Sequence, residues 1–166
     1  MVARQPPRPH ISWYDISRRG NHTEELTAAD YQALAEFRYQ IRRFVRFSEQ
    51  AARRAGLEPR QHQLLLAVKA HEGEPSVGEL AERLQLRHHS VVELIDRLAE
   101  HAMVERSRAE ADRRHVRVRL TRKGEGVLRR LSLDHRAELQ SAGRALVGAL
   151  EAVLDRERAA SSAQKA

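Results

Sequence analysis

The sequence predicts a mainly α-helical fold with one small β-wing. Apolar residues recur at three- and four-residue spacing along most of residues 27–158, which is the spacing of amphipathic helices. Residues 103–108 and 116–120 instead alternate in character, as the two strands of a half-buried hairpin do. Short helices followed directly by such a hairpin are typical of a winged helix-turn-helix, an architecture that reads duplex DNA.

Two short helices are expected just before the hairpin. Ser76 can cap the first of them, because Glu79 stands at the position that a capping box requires. The apolar residues of this helix are Val77, Leu80, Ala81 and Leu84. After a turn at residues 85–87, the second helix carries an apolar stripe and ends near His101. That stripe consists of Val91, Leu94, Ile95 and Leu98.

Hydrogen-bonding side chains remain on the outward face of the second helix once its apolar stripe faces inward. In the first turns of a recognition helix, such side chains reach base edges in the major groove. Val92 suits a thymine methyl group, whereas Glu93 suits a cytosine amino group or a neighbouring arginine. An ordinary solvated face is the alternative, and the basic hairpin that follows argues against it. The candidate DNA contacts are Arg87, His88, His89, Ser90, Val92 and Glu93, with Asp96 further along the outward face.

The hairpin is strongly basic. Between Val104 and Lys123 there are eight arginines or lysines and three acids. Arginine contacts with phosphates provide the sequence-independent part of DNA affinity, and a hairpin can place them along the backbone or in the minor groove. A DNA-binding wing is therefore preferred over a merely solvated charged face. The candidate contacts on it are Arg106, Arg108, Asp112, Arg113, Arg114 and Arg117.

Residues 27–158 resemble the multiple-antibiotic-resistance regulator (MarR) family of bacterial proteins. The motifs that carry the resemblance are SVGELAERLQL, VELIDRLAEHAMVER, the wing turn ADRR and the closing LTRKGE. The resemblance implies six helices and a wing, an obligate homodimer, and a repressor that a small ligand releases from DNA. It also implies that Asp112 pairs within the protein and orients the wing tip, while Arg114 reaches the minor groove. His89, Val92 and Glu93 depart from the residues common in the family, so base preference cannot be carried over.

Composition limits the function classes. The chain has 166 residues, the size of one domain, and a net charge of +7 that favours a polyanionic partner. It has no cysteine, which excludes disulfides, thiolate metal sites and cysteine-based sensing. Glycine-rich phosphate loops and hydrolase motifs are absent, so neither an enzyme nor a cofactor is expected. Without an apolar run long enough to span a bilayer or an apolar signal core, the protein is expected to be cytoplasmic and not to bind membranes.

The chain divides into four kinds of segment. Residues 1–26, rich in Pro and Arg, are expected to form an extended or flexible arm that crosses the dimer interface, covers a regulatory pocket or is a loose tail. Residues 27–56 and 121–158 are predicted dimerisation helices, the latter holding two helices with stripes at 127–135 and 146–154. Residues 57–120 form the predicted DNA-binding region. Residues 159–166 are expected to be a flexible tail.

A homodimer would affect both how the protein binds DNA and how a small effector acts on it. Two recognition helices related by a two-fold axis would read an inverted-repeat operator in double-stranded DNA, with half-sites ~34 Å apart. A small effector that binds better to a differently spaced dimer would weaken DNA binding by linkage. Arginines can clamp a carboxylate, and aromatic rings can stack on a ligand ring. The candidate lining residues are Tyr39, Arg42, Arg46, His62 and Arg136, each of which could instead be an ordinary surface or interface residue.

Two alternatives remain open at this point. The nine histidines allow a zinc-responsive regulator of the same fold, although their spacing lacks the short repeats that zinc sites favour, so no metal ligand is assigned. The basic charge also allows a DNA-binding protein without sequence preference. Such a protein would show a steep salt dependence and little discrimination between sites.

Overall fold

The computed structural model describes residues 26–109 and 112–163, apart from the side chains at 108, 109, 112–115 and 156–163. Within this part, the chain forms five helices and one two-stranded antiparallel ribbon. This architecture confirms the predicted fold class, a mainly helical chain with a small wing. In chain order the elements are α1 (Ala28–Arg54), α2 (Pro59–Ala70), α3 (Val77–Leu84), α4 (His88–Glu100), β1 (Val104–Ala109), β2 (Asp112–Leu120) and α5 (Arg122–Ala163).

Local sequence signals explain where the helices begin. The Thr27 amide donates to the Asp30 carboxylate at 2.7 Å, and the Asp30 amide donates back to the Thr27 hydroxyl. Ser76 and Glu79 form the same reciprocal capping box at α3, with the Ser76 amide 2.7 Å from the Glu79 carboxylate. Pro59 occupies the first turn of α2, where its missing N–H costs no helical hydrogen bond. These contacts satisfy amides that a helix start otherwise leaves unpaired.

Left-handed residues lie at the ends of α1 and α3. Gly56, after α1, has a φ of +76°, a conformation that glycine adopts without steric cost. The chain then folds back, so that the Leu57 amide donates to the Ala52 carbonyl at 3.0 Å. Gln85 ends α3 with a φ of +54°, which sets up the tight turn into α4. A short turn between two helices is typical of a helix-turn-helix.

The ribbon is attached to the helices at its base. Its register pairs Val104 with Leu120 and Arg106 with Val118. A further bridge joins Ser76 to β2, and the Val118 amide donates to the Pro75 carbonyl at 3.0 Å. The segment before α3 thus acts as a short third strand. Because side chains alternate between faces, Val104 and Val118 enter the core while the neighbouring charged residues face away.

One apolar cluster connects the ribbon and all five helices. The predicted stripe on α4 is confirmed, since Val91, Ile95 and Leu98 are fully buried and Leu94 nearly so. Burial of this stripe leaves the opposite face of α4 toward solvent. The core also includes Ala51, Ala52, Leu57, Leu64, Leu65, Val68, Leu80, Met103, Val104, Val118, Val127, Leu128 and Leu131.

The segment after the wing corrects the predicted helix count. The described residues contain five helices rather than six, because α5 is one continuous helix of 42 residues where two were expected. Residues 136–145 contain no proline and mostly strong helix formers. A single interior Gly143 costs about 1 kcal/mol of helix stability, too little to break a helix that packs along α1. The helix also includes residues 159–163, which the sequence assigned to the tail.

The predicted N-terminal arm, residues 1–26, lies outside the described residues except for Leu26. Residues 164–166 also lie outside them. Among the helices of the described part, none combines the length and the apolarity that crossing a bilayer requires.

Candidate nucleic-acid interface

The outward face of α4 carries the side chains that the sequence assigned to DNA. Arg87, His88, His89 and Glu93 are exposed, and Ser90 and Val92 are half-buried beside them. Glu93 lies 3.8 Å from Arg97 one turn later, so this carboxylate holds a neighbouring arginine in the free protein. Because the opposite face is locked in the core, these groups keep a fixed direction.

The wing lies directly beside this face. Arg106 of β1 reaches Asp96 of α4, and the guanidinium donates to the carboxylate in an ion pair. Both side chains are close to half exposed. The contact joins the outward face of the recognition helix to the base of the ribbon. A duplex that approaches α4 therefore also meets the wing.

Arg117 of β2 is engaged on the opposite face of the ribbon. Its Nη1 donates to the Glu74 carbonyl at 3.1 Å and to the Glu79 carboxylate at 3.4 Å. Hydrogen bonds from Ser76 lower the pKa of Glu79, so this carboxylate is firmly charged at neutral pH. Arg117 thus ties β2 to the start of α3. The sequence assigned it to DNA, whereas the structure places its charge against two protein oxygens.

Glu74 forms the centre of the contacts on this face. Its carboxylate accepts a hydrogen bond from the Ser107 hydroxyl of β1 and lies 4.0 Å from Arg119 of β2. Arg119 also lies 3.0 Å from Glu105, its cross-strand neighbour. One loop carboxylate therefore contacts both strands of the ribbon.

Pairing within the protein reduces the positive charge that the base of the ribbon offers to DNA. At the base, Arg106, Arg117 and Arg119 are each paired with acids of the protein. The side chains of the predicted contacts at the tip, Arg108, Asp112, Arg113 and Arg114, lie outside the described part of the chain. A count of charges along the sequence overstates the number of arginines free for DNA. The pairing of Glu74 and Glu79 with β2 escaped sequence reasoning, because no spacing rule connects a loop or the start of a helix to a distant strand.

A compact joint connects the wing to α5. The Thr121 hydroxyl donates to the Ala102 carbonyl at 2.7 Å and accepts from the Gly124 amide at 3.1 Å. Lys123 donates to the His101 carbonyl at 2.9 Å. A Cβ added at Gly124 would lie 2.0 Å from the Met103 carbonyl oxygen. Only glycine allows α5 to begin this close to the base of the wing.

The candidate effector residues do not form one site. Tyr39, Arg42 and Arg46 line a shallow concave surface on α1, together with Ile41 and Val45. This surface is open and combines apolar side chains with guanidinium groups. Arg136, exposed on α5, and His62 are not among its lining residues.

His62 is buried where α1, α2 and α5 meet. Its ring centroid lies 4.8 Å from that of His135, whose Nε2 lies 2.8 Å from the Ser48 hydroxyl. Phe44 and Phe47 pack edge-on against the His135 ring. Burial, and then the neighbouring His135, lower the pKa of His62. A neutral, packed imidazole therefore occupies this position.

The described part of the chain contains no group of three or more histidine, aspartate or glutamate side chains placed to hold a metal ion. His71 lies 3.8 Å from Glu79, and this carboxylate is already engaged by Ser76 and Arg117.

Comparison with known proteins agrees with this arrangement. A model of the MarR family matches residues 55–115. No curated protein gives a significant match. The structure is similar to AbsC, a MarR family transcriptional regulator from Streptomyces coelicolor, with 22% identity, a TM-score of 0.63, and coverage of 72% of this chain and 82% of AbsC.

Two further solved structures show what proteins with this fold bind. A MepR mutant from S. aureus, bound to an oligodeoxyribonucleotide, is 19% identical with a TM-score of 0.59, over 81% of this chain and 98% of MepR. BpsR from Bordetella bronchiseptica, described with regulation of its DNA binding by 6-hydroxynicotinic acid, is 24% identical with a TM-score of 0.54, over 67% of this chain and 83% of BpsR. The resemblance to the MarR family is thereby confirmed: residues 55–115 match the model of that family, and the chain has the fold of MarR family transcriptional regulators.

Proposed function

We propose that this protein is a sequence-specific regulator of transcription that binds double-stranded DNA and catalyses no reaction. The observation that carries the proposal is the contact between Asp96 and Arg106, which sets the wing beside the outward face of the recognition helix. The helix offers imidazole and carboxylate groups for base edges, and the wing offers a basic tip for phosphates or the minor groove. The oligonucleotide bound to MepR supports this use of the shared fold.

An obligate homodimer is part of the proposal. Between residues 139 and 154, α5 exposes Leu139, Val147, Leu150 and Leu154. Near the start of α1, Tyr31 and Leu34 are exposed as well. So many exposed large apolar side chains on two neighbouring helices favour a protein partner. A second copy of the chain would also supply the second DNA-binding region. Its operator would be an inverted repeat with half-sites ~34 Å apart.

The proposed protein represses transcription, and a small ligand releases it from DNA. Tyr39, Arg42 and Arg46 are the candidate contacts, because their shared surface combines an aromatic ring with three guanidinium groups, those of Arg42, Arg43 and Arg46, against one carboxylate, that of Glu49. An aromatic acid fits this chemistry, and 6-hydroxynicotinic acid acts on the relative BpsR. His62 and Arg136 would then influence the response through the α1, α2 and α5 junction rather than from one pocket.

Selection of duplexes from a random-sequence library tests the function. The expected result is an enriched inverted repeat, bound at least ~10³-fold more tightly than scrambled duplex at physiological salt. Binding without enrichment, with a steep salt dependence alone, would instead identify a sequence-neutral DNA-binding protein. Repeating the measurement with added zinc and with a chelator tests the zinc-responsive alternative, which requires that affinity change between the two.

A further inference from the structure

Acidic side chains surround the base of the wing on both of its faces. On the face toward α4, Asp96 binds Arg106. On the other face, Glu74 accepts a hydrogen bond from Ser107 and lies within 4.0 Å of Arg119. Carboxylates next to a DNA-binding surface are unfavourable for affinity on charge alone, because they repel phosphates and neutralise arginines.

We propose that Asp96 and Glu74 are positioning residues for DNA binding, which set the angle between the wing and the recognition helix. This inference rests on the proposed function and deepens it. The two carboxylates hold opposite faces of one two-stranded ribbon, one from α4 and one from the loop before α3. A ribbon of two strands has little stability of its own, so contacts at its base determine where its tip points.

The backbone contacts support this view, because they leave one side of the ribbon unattached. β2 bonds to the segment before α3 through the Val118 amide and the bridge at Ser76. β1 has no comparable backbone partner among the described residues besides β2. Besides the buried Val104, the side-chain contacts of Arg106 and Ser107 are therefore what attach β1 to α4 and to the loop before α3.

The opposite explanation is that Asp96 and Glu74 only neutralise nearby arginines. The two explanations predict effects of opposite sign. If the carboxylates only neutralise charge, their removal frees Arg106, or leaves Arg119 with Glu105 but without Glu74, which raises the affinity and steepens the salt dependence by up to about one unit. If they position the wing, their removal misdirects the tip, which lowers affinity and makes the salt dependence shallower.

The experiment measures DNA binding of Asp96→Asn and Glu74→Ala in the full-length protein at a series of salt concentrations. The probe is the duplex enriched by selection, and a mixed-sequence duplex of the same length serves for comparison. We expect each variant to lose about tenfold in affinity, with a salt slope reduced by about one. Raised or unchanged affinity with a steeper slope would overturn the proposal.

Matched controls separate position from charge. Glu100→Gln removes a carboxylate from the end of α4, and Glu72→Ala removes one from the loop that holds Glu74; both residues are exposed and make no ion pair within the described residues. These controls should bind slightly more tightly than the wild type. A loss equal to that of Asp96→Asn and Glu74→Ala would overturn the proposal.

A measurement on the free protein tests the positioning role of the two carboxylates independently of DNA binding. Amide hydrogen exchange of the free protein should accelerate in residues 104–107 of both test variants, while the core amides of α4 stay protected. Unchanged exchange in β1 would contradict the positioning role even if DNA affinity fell. If the wild type bound no duplex at all, the proposed function would fail, and the exchange data would still decide whether the two carboxylates hold the wing.

Discussion

The imidazole rings of His62 and His135 lie 4.8 Å apart, centroid to centroid, where α1, α2 and α5 meet. His62 is buried, and its pKa is lowered by burial and then by its neighbour. In the unfolded chain its pKa returns to about 6.5. Below that pH the unfolded state binds a proton that the folded state resists, so acidification favours unfolding.

We therefore expect the free energy of unfolding to be insensitive to this group above about pH 6.5 and to decrease as the pH falls through and below that value. Urea denaturation at half-unit pH steps measures the effect. His62→Phe should flatten the profile in this window, because it keeps an aromatic ring and removes the titrating group. His101→Gln, at an exposed histidine, is the control and should leave the profile unchanged.

Gly124 and Gly126 offer a matched pair of substitutions at the start of α5. Gly124→Ala should destabilise the protein by about 1–3 kcal/mol, because its Cβ would collide with the Met103 carbonyl at the base of the wing. Gly126→Ala meets nothing within 4 Å and should stabilise the helix by about 0.5–1 kcal/mol. Thermal or urea denaturation distinguishes the two. Equal effects would contradict the close approach at Gly124.

Substitution of Arg114 and of Arg117 should have different effects on DNA binding. Arg114→Ala should weaken binding to all duplexes and reduce the salt slope by about one, as the loss of a phosphate or minor-groove contact does. Arg117→Ala should leave the salt slope nearly unchanged, because its guanidinium already binds Glu74 and Glu79. Fluorescence anisotropy across a salt series measures both. A reduced slope for Arg117→Ala would place this arginine on DNA.

If the exposed apolar residues of α5 form the dimer interface, a charge introduced among them should dissociate the dimer. Val147→Glu should shift the protein toward monomer, because a charge in an apolar interface is desolvated without a partner. Leu66→Glu is the control, since Leu66 is similarly exposed on α2, outside the predicted dimerisation helices. Sedimentation equilibrium gives the mass of each variant. A monomeric wild type, or equal behaviour of the two variants, would contradict the assignment.

Local signals made much of the fold predictable from the sequence. The capping box at Ser76 and the apolar stripe of α4 depend only on residues three or four positions apart, and both are present in the structure. The fusion of the last two predicted helices could not be foreseen in this way. Packing along α1 offsets the weak helix propensity of Gly143, and packing is a long-range property.

The candidate site was predictable to a smaller extent. The outward face of α4 follows from helical periodicity, so its exposed residues could be named in advance. The partners of Arg106 and Arg117 depend on how α4 and the loop before α3 meet the ribbon in space, and the sequence contains no spacing that reveals them. His62 was assigned to a ligand from its residue type alone, whereas the structure packs it against His135.

The 42 residues of α5 form an unbroken rod about 60 Å long, which starts at the base of the wing. A small rotation at one end of so long a helix produces a large displacement at its other end. If two copies associate along their far ends, a tilt of about 3° at that contact displaces the opposite end by about 3 Å, a hinge-like motion of the kind that separates conformational states. A tilt only a few degrees larger would then displace the DNA-binding region by half the width of a major groove, with no rearrangement inside that region.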